Sequence, residues 1–262
     1  GCLMDYTVAS VDTALTLLSL VGECPGLGVT ELAHRAGLNK SRAFRLLATL
    51  EQHRRVVREG SPVTYVLGAQ ALVLGVAGHE QVNLVKVAHR HLQVLNRALN
   101  ENIQLRVRDG LESLCVARVE STHELRVHGV VGNRRPLYVG ASGRVLLAFA
   151  SDDVRAQVLG RPRKRYTAGT LIERDELAAE LLNVRRQDCA VSFGELAPEA
   201  VSVAVPVRDA SGEVIASLSA SGPSSRMTRA LLPDISSRLS ACATEISAAL
   251  GYQTPLPEAL SA

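Results

Sequence analysis

The sequence predicts two folded units of different class, a small and mainly helical one ahead of an α+β one, and three observations carry that division. Apolar residues recur at helical spacing between residues 10 and 50. From Ile103 onward they alternate with a period of two, and helical spacing then returns between and after the alternating runs. At 262 residues the chain is long enough for two modest domains, and 47% hydrophobic residues with little low-complexity sequence describe a folded protein. The predicted boundaries are a helical unit over 1–68, linker helices over 69–100, an α+β unit over 101–252 and a tail over 253–262.

Ser10 to Leu20 reads as a helix capped by Ser10 and ended by Gly22 and Pro25. A second helix begins near Thr30. Gly37 follows Leu32, Ala33 and Ala36 where the end of that helix needs a residue tolerating positive φ, and Asn39 then stands as the N-cap of a third helix starting at Lys40. On this third helix Ala43, Leu46, Leu47 and Leu50 form one apolar stripe, while Ser41, Arg42, Arg45 and Gln52 lie toward the other side. Val56 to Leu67 reads as two strands around a Glu59-Gly60-Ser61-Pro62 turn.

Two helices joined by a tight turn and followed by a hairpin make a winged helix-turn-helix, whose exposed helix face suits the DNA major groove. Arginine can bond guanine O6 and N7 bidentately there. From Arg35 to Arg58 there are seven Lys or Arg against one acid, Glu51, although the whole chain carries only +3. Phosphate contacts depend on the field at one face, so local concentration outweighs net charge. The candidate DNA-contacting residues are Lys40, Ser41, Arg42, Arg45 and Thr49 on the third helix and Arg58 on the hairpin. A helical hairpin with a solvated charged face is the bland alternative.

Ala69 to Val76 predicts a short helix broken by Gly78, and Val82 to Leu99 a longer one on which Val85, Leu92 and Leu95 are candidate contacts between subunits. His89 and His91 on it do not share a face, so that pair and Lys86 and Arg90 read as a solvated surface. Strands are predicted over 103–107, 114–119, 125–130, 201–207 and 214–221, the last two joined by the turn Asp209-Ala210-Ser211-Gly212. Helices are predicted over 142–150, 151–159 and 174–187, and Ile235, Leu239, Cys242, Ile246 and Leu250 mark a long C-terminal one.

On the final hairpin Ser202, Ala204, Ser217, Ser219 and Ser221 share one face. Turned inward, these short side chains leave a cavity lined by hydroxyls; turned outward, they make a wet sheet face. Beside them, Val139 to Ala148 runs small residues into a helix whose N-terminus offers N–H groups and a positive dipole end to a carboxylate.

Several function classes drop out. Aromatic residues make up 3% of the chain with no Trp, which argues against stacking platforms for single-stranded nucleic acid. The longest clear apolar run, Val145 to Ala150, is far short of the ~20 residues of a membrane span. Cys2, Cys24, Cys115, Cys189 and Cys242 are scattered without C-x-x-C or a His at zinc spacing, so they read as reduced thiols, with no metal implied. Gly140 to Arg144 is not a G-x-S-x-G elbow, since Arg144 takes the last Gly position. Cys115 and Cys189 lack a neighbouring base, and no phosphate or dinucleotide loop appears, so no enzyme, catalytic residue or cofactor is expected. Gly1-Cys2-Leu3-Met4 opens no secretory signal, and the expected location is cytoplasmic.

The chain resembles the IclR family of bacterial transcriptional regulators from Val8 to Leu250. The resemblance is carried by Ser10-Val11-Asp12-Thr13-Ala14-Leu15, by Thr30-Glu31-Leu32-Ala33 through Gly37-Leu38-Asn39-Lys40-Ser41, and by Arg45-Leu46-Leu47-Ala48-Thr49-Leu50. Gly143-Arg144-Val145-Leu146-Leu147-Ala148 and Ser219-Ala220-Ser221-Gly222-Pro223 complete it in the right order. It implies an N-terminal winged helix, a linker helix and a C-terminal effector domain with a GAF- or profilin-like antiparallel sheet. It also implies homodimers or homotetramers on double-stranded operator DNA, with small organic acids as effectors. Family effector contacts fall on Ala141, Ser142, Ser192, Ser202, Ser219 and Ser221. Ser192 and Ser202 stand where a keto-acid-responsive member carries Asp and Cys, and Val191 to Leu196 replaces the usual acidic loop, which implies a different effector. The expectation is a DNA-binding regulator, a repressor, controlled by a small organic acid. The rivals are a metabolite-sensing module whose winged helix makes protein contacts and, more remotely, an enzyme.

Overall fold

In the computed structural model the described residues are 7–81, 83–124 and 130–253, and they divide into two compact units at Val82/Asn83. The first holds α1 (Ala9–Glu23), α2 (Val29–Arg35), α3 (Lys40–Gln52), β1 (Val56–Glu59), β2 (Thr64–Leu67) and α4 (Ala69–Gln81). Leu17 and Val21 of α1, Leu32 and Ala33 of α2, and Ala43, Leu47 and Leu50 of α3 close on Val56 and Tyr65 to form its core. Each fully buried Leu there contributes roughly 1.5–3 kcal/mol. Val8, not Ser10, caps α1, and the helix runs through Gly22 to Glu23, because a single glycine weakens a helix without stopping it. Asn39 caps α3, its side chain accepting the Arg42 N–H at 2.8 Å, and Gly37 takes φ +64°. β1 and β2 pair antiparallel with Val56 opposite Leu67, and Leu27 adds a bridge to Tyr65.

Two helical expectations change. α4 continues past Gly78 to Gln81, and the next helix, α5 (Leu84–Leu99), is capped by Asn83, whose side chain accepts the Lys86 N–H at 3.2 Å. α5 is built into the second unit: Ala88, Leu92 and Leu95 are buried in its core and Val85 packs against it. Leu92 and Leu95 are thus unavailable as contacts between subunits.

The second unit is an antiparallel six-stranded sheet ordered β5-β4-β3-β8-β7-β6. Its strands are β3 (Asn102–Asp109), β4 (Glu112–Val119), β5 (Arg134–Pro136), β6 (Ala190–Phe193), β7 (Ala200–Arg208) and β8 (Val214–Pro223). α5 and α9 (Leu232–Ala249) cover the face carrying Ile103, Leu105, Val203, Val205 and Leu218. A second apolar cluster joins α6 (Gly140–Ala148), α7 (Asp152–Gly160) and α8 (Arg174–Gln187) to Ala190 and Ala204 on the other face. The expected strand over 125–130 lies outside the described residues except for Val130, which is in no strand; residues 1–6 and the tail from 254 also lie outside. No helix among the described residues is long and apolar enough to cross a membrane.

Candidate functional site

In the first unit, burying Ala43, Leu47 and Leu50 of α3 fixes which side faces out. Lys40, Ser41, Arg42, Arg45 and Thr49 are all exposed, as is Arg58 on β1. Three of them have internal partners. Arg42 Nη2 lies 3.3 Å from Thr13 Oγ1, and Thr49 donates its hydroxyl to the Arg45 carbonyl at 3.0 Å. Arg58 Nε donates to Glu51 Oε1 at 2.9 Å, so its charge is shared with a carboxylate. Among the described residues no carboxylate pairs with Lys40, Arg42 or Arg45. Phe44, also exposed on α3, is a surface aromatic that the sequence reading passed over.

In the second unit a cavity of about 490 Å³ opens between the start of α6, the sheet face beneath it and the segment after β6. All six residues read as effector contacts, Ala141, Ser142, Ser192, Ser202, Ser219 and Ser221, line it. The register explains the row: Ser192 pairs with Ser202 and Ser202 with Ser221, while Ser219 stands between Ala204 and Gln104. Because strand residues alternate faces, Val201, Val203 and Val205 build the opposite core while the small residues between them leave space. Ser217 shares the row but does not line the cavity, and its buried hydroxyl has no partner among the described residues.

The start of α6 differs from the expectation of free N–H groups. Gly140 N–H donates to Glu195 Oε2 at 2.9 Å, and Ala141 N–H reaches Ser202 Oγ at 3.5 Å. A protein carboxylate therefore already sits at the positive end of this helix. Glu195 also pairs with Arg144 of α6, and the two side chains are 4% and 1% exposed. Arg144 further donates to the Val191 carbonyl and lies 3.7 Å from Glu180 Oε1. Thr170 Oγ1 donates to the Glu195 carbonyl at 2.8 Å, which ties the Glu195 backbone in place.

The other end of the cavity is lined by Gln104, Arg106, Ser113 and Arg135, none of which the sequence reading singled out. A β-bulge gives the reason. Arg118 pairs with Gln104, but after the register shift Cys115 pairs with Arg106, so Val116 is the extra residue and the alternation on β4 changes phase there. Arg106 Nε and Nη2 donate to Ser113 Oγ at 3.1 Å and to its carbonyl at 2.8 Å, and Nη2 also donates to the Asn133 carbonyl at 2.9 Å. Burial, then the charge of Arg135, pulls the Arg106 guanidinium down to about 10. Arg135 is lowered too, chiefly by burial and further by Arg118, while Cys115 opposes the fall. The sequence held no signal for them: on β3 Ile103, Leu105 and Val107 take the apolar positions, and Gln104 and Arg106 read as an ordinary polar face.

The chain matches two family models, the IclR helix-turn-helix domain over residues 10–60 and the bacterial transcriptional regulator IclR C-terminal domain over residues 77–248. It is 33% identical over 247 residues to the HTH-type transcriptional regulator KdgR of Escherichia coli K12, covering 94% of each chain. It is 29% identical over 248 residues to the transcriptional repressor IclR of the same organism, covering 93% of this chain and 90% of that one. Among solved structures, Pseudomonas aeruginosa HmgR superposes with a TM-score of 0.81 at 26% identity, over 95% of this chain and 100% of that one. An IclR homolog from Microbacterium hydrocarbonoxydans complexed with 4-hydroxybenzoate gives a TM-score of 0.60 at 27% identity, over 92% of this chain and 98% of that one.

Proposed function

This chain belongs to the IclR family of bacterial transcriptional regulators, and from that premise we propose that it is an operator-binding repressor released or tuned by a small organic anion. The observation that carries the reading is the cavity of about 490 Å³ in the second unit, lined by serine hydroxyls and by two arginines. It falls in the 300–1,000 Å³ range of small-molecule sites, with a few polar groups converging on an otherwise apolar wall. The neighbour complexed with 4-hydroxybenzoate supports a carboxylate as the kind of molecule held. The relatives matched are regulators, and the reading gives the cavity a binding role with no catalytic step.

On the DNA side the reading uses the exposed α3 face, with Arg42 and Arg45 at base edges or flanking phosphates and Lys40, Ser41, Thr49 and Arg58 around them. One winged helix makes a small interface, so the working form is a dimer or tetramer reading paired half-sites. An effector acts by binding one arrangement of that oligomer better than the other, and the shift it produces cannot exceed that difference in affinity. The test is selection of genomic fragments on the purified full-length protein. A short list of enriched sites sharing an inverted repeat is expected. Retention of fragments without a common sequence, or of none, contradicts operator binding.

A further inference from the structure

We propose that the cavity holds the charged end of its ligand, a small carboxylate, between Arg106 and Arg135, and not at the N-terminus of α6. This rests on the reading of the cavity as an effector site and names where the charge goes.

The two ends of the cavity are electrically unlike. At the α6 end the buried charges are answered: Gly140 N–H meets Glu195, and Glu195 meets Arg144. Glu199 lies at the exposed rim and accepts the Ser224 hydroxyl at 2.9 Å. At the other end Arg106 is 2% exposed, and its hydrogen bonds go only to neutral acceptors, Gln104, Ser113 and Asn133. Arg135 makes no side-chain hydrogen bond or ion pair among the described residues. No Asp or Glu pairs with either arginine among the described residues, and residues 125–129, the nearest undescribed stretch in sequence, contain no acid.

A buried guanidinium, Arg106, beside a half-buried one, Arg135, without a countercharge is unfavourable. An anion entering the cavity removes that cost. The Arg135 guanidinium, which has no side-chain partner among the described residues, can meet a carboxylate with two parallel bonds. Arg106, whose Nε and Nη2 donors are taken by Ser113 and Asn133, adds its charge and a remaining Nη1 N–H. Ser113 holds the Arg106 group from two sides before any ligand arrives, so little ordering remains to be done on binding. The body of the ligand then lies along Ser192, Ser202, Ser219 and Ser221, whose hydroxyls donate or accept as its oxygens require.

The experiment is thermal unfolding of the full-length protein. In chloride buffer Arg135→Met is expected to melt above wild type, because it deletes an unanswered cation and no hydrogen bond; a fall of several degrees would mean the guanidinium is a structural tie and overturns the proposal. Sodium 4-hydroxybenzoate, pyruvate and gluconate are then titrated at constant ionic strength, with neutral 4-hydroxybenzamide beside them. At least one carboxylate is expected to raise the wild-type melting temperature saturably, and Arg135→Met to weaken it tenfold or more. Arg106→Gln should do the same, and Arg135→Met suffices if that variant does not fold. A normal response in the arginine variants with a lost response in Ser219→Phe overturns the arginine site and leaves the cavity reading standing. A normal response in all of them removes both. The amide binding as well as the acid, or no carboxylate binding saturably, overturns the anionic assignment.

Discussion

Arg42 and Arg45 leave α3 on its exposed side while Ala43 and Leu47 between and beyond them are buried, so that one side of the stretch folds and the other, in the proposed function, meets DNA. Replacing either by Ala should weaken operator binding by about 1–3 kcal/mol where the lost contact is bidentate to a base. Arg58→Ala should cost less, since Glu51 already shares that charge; fluorescence anisotropy on the selected operator checks both. In the second unit the buried Arg144–Glu195 pair gives a stability prediction. Arg144→Leu leaves the Glu195 carboxylate buried beside a single N–H and should lower urea stability by about 3–5 kcal/mol, with Glu195→Leu added to it recovering much of the loss. The serine row was legible in the sequence because β7 and β8 alternate strictly. Arg106, Arg135 and Glu195 were not, since pairing across a bulge and a loop closing on a helix end leave no local pattern.

At the scale of elements the long, periodic segments were readable and the short ones were not. α3 with its Asn39 cap and the β7–β8 hairpin stand where the spacing put them, and α8 spans the predicted Arg174–Gln187. β5 and β6, three and four residues long at the two edges of the sheet, are too short to show alternation. α5 was amphipathic in the sequence, but periodicity cannot say what covers an apolar stripe, and its stripe packs on its own sheet. Removing the cap with Asn39→Ala should destabilise the first unit by about 1 kcal/mol, seen as an earlier loss of helix signal on heating. Gly143 serves close approach: a Cβ there would stand 2.6 Å from the Leu137 carbonyl oxygen. Gly143→Ala must therefore push α6 off the Pro136–Leu137 backbone, at a cost of about 1–3 kcal/mol. Because α6 carries Ala141 and Ser142, carboxylate binding should weaken in that variant as well; calorimetric titration would read the change.

For the whole molecule, the proposed function has a chain of charge +3 bind DNA through one concentrated basic face. The logarithm of operator affinity should fall linearly with the logarithm of salt, and a variant losing one phosphate contact should show a slope smaller by about 1. Family membership and two-unit organisation were legible from motifs in order along the chain; the identity of the effector is written in pocket shape and charge, which only the folded chain displays. The measurement that bears most directly on the account is operator affinity as a carboxylate that stabilises the protein is titrated in, for wild type and for Ser219→Phe. The account predicts that the wild-type dissociation constant shifts saturably with the carboxylate, while Ser219→Phe binds operator like unliganded wild type and does not respond. Equal responses in the two proteins, or an operator affinity indifferent to any carboxylate that binds, would contradict it.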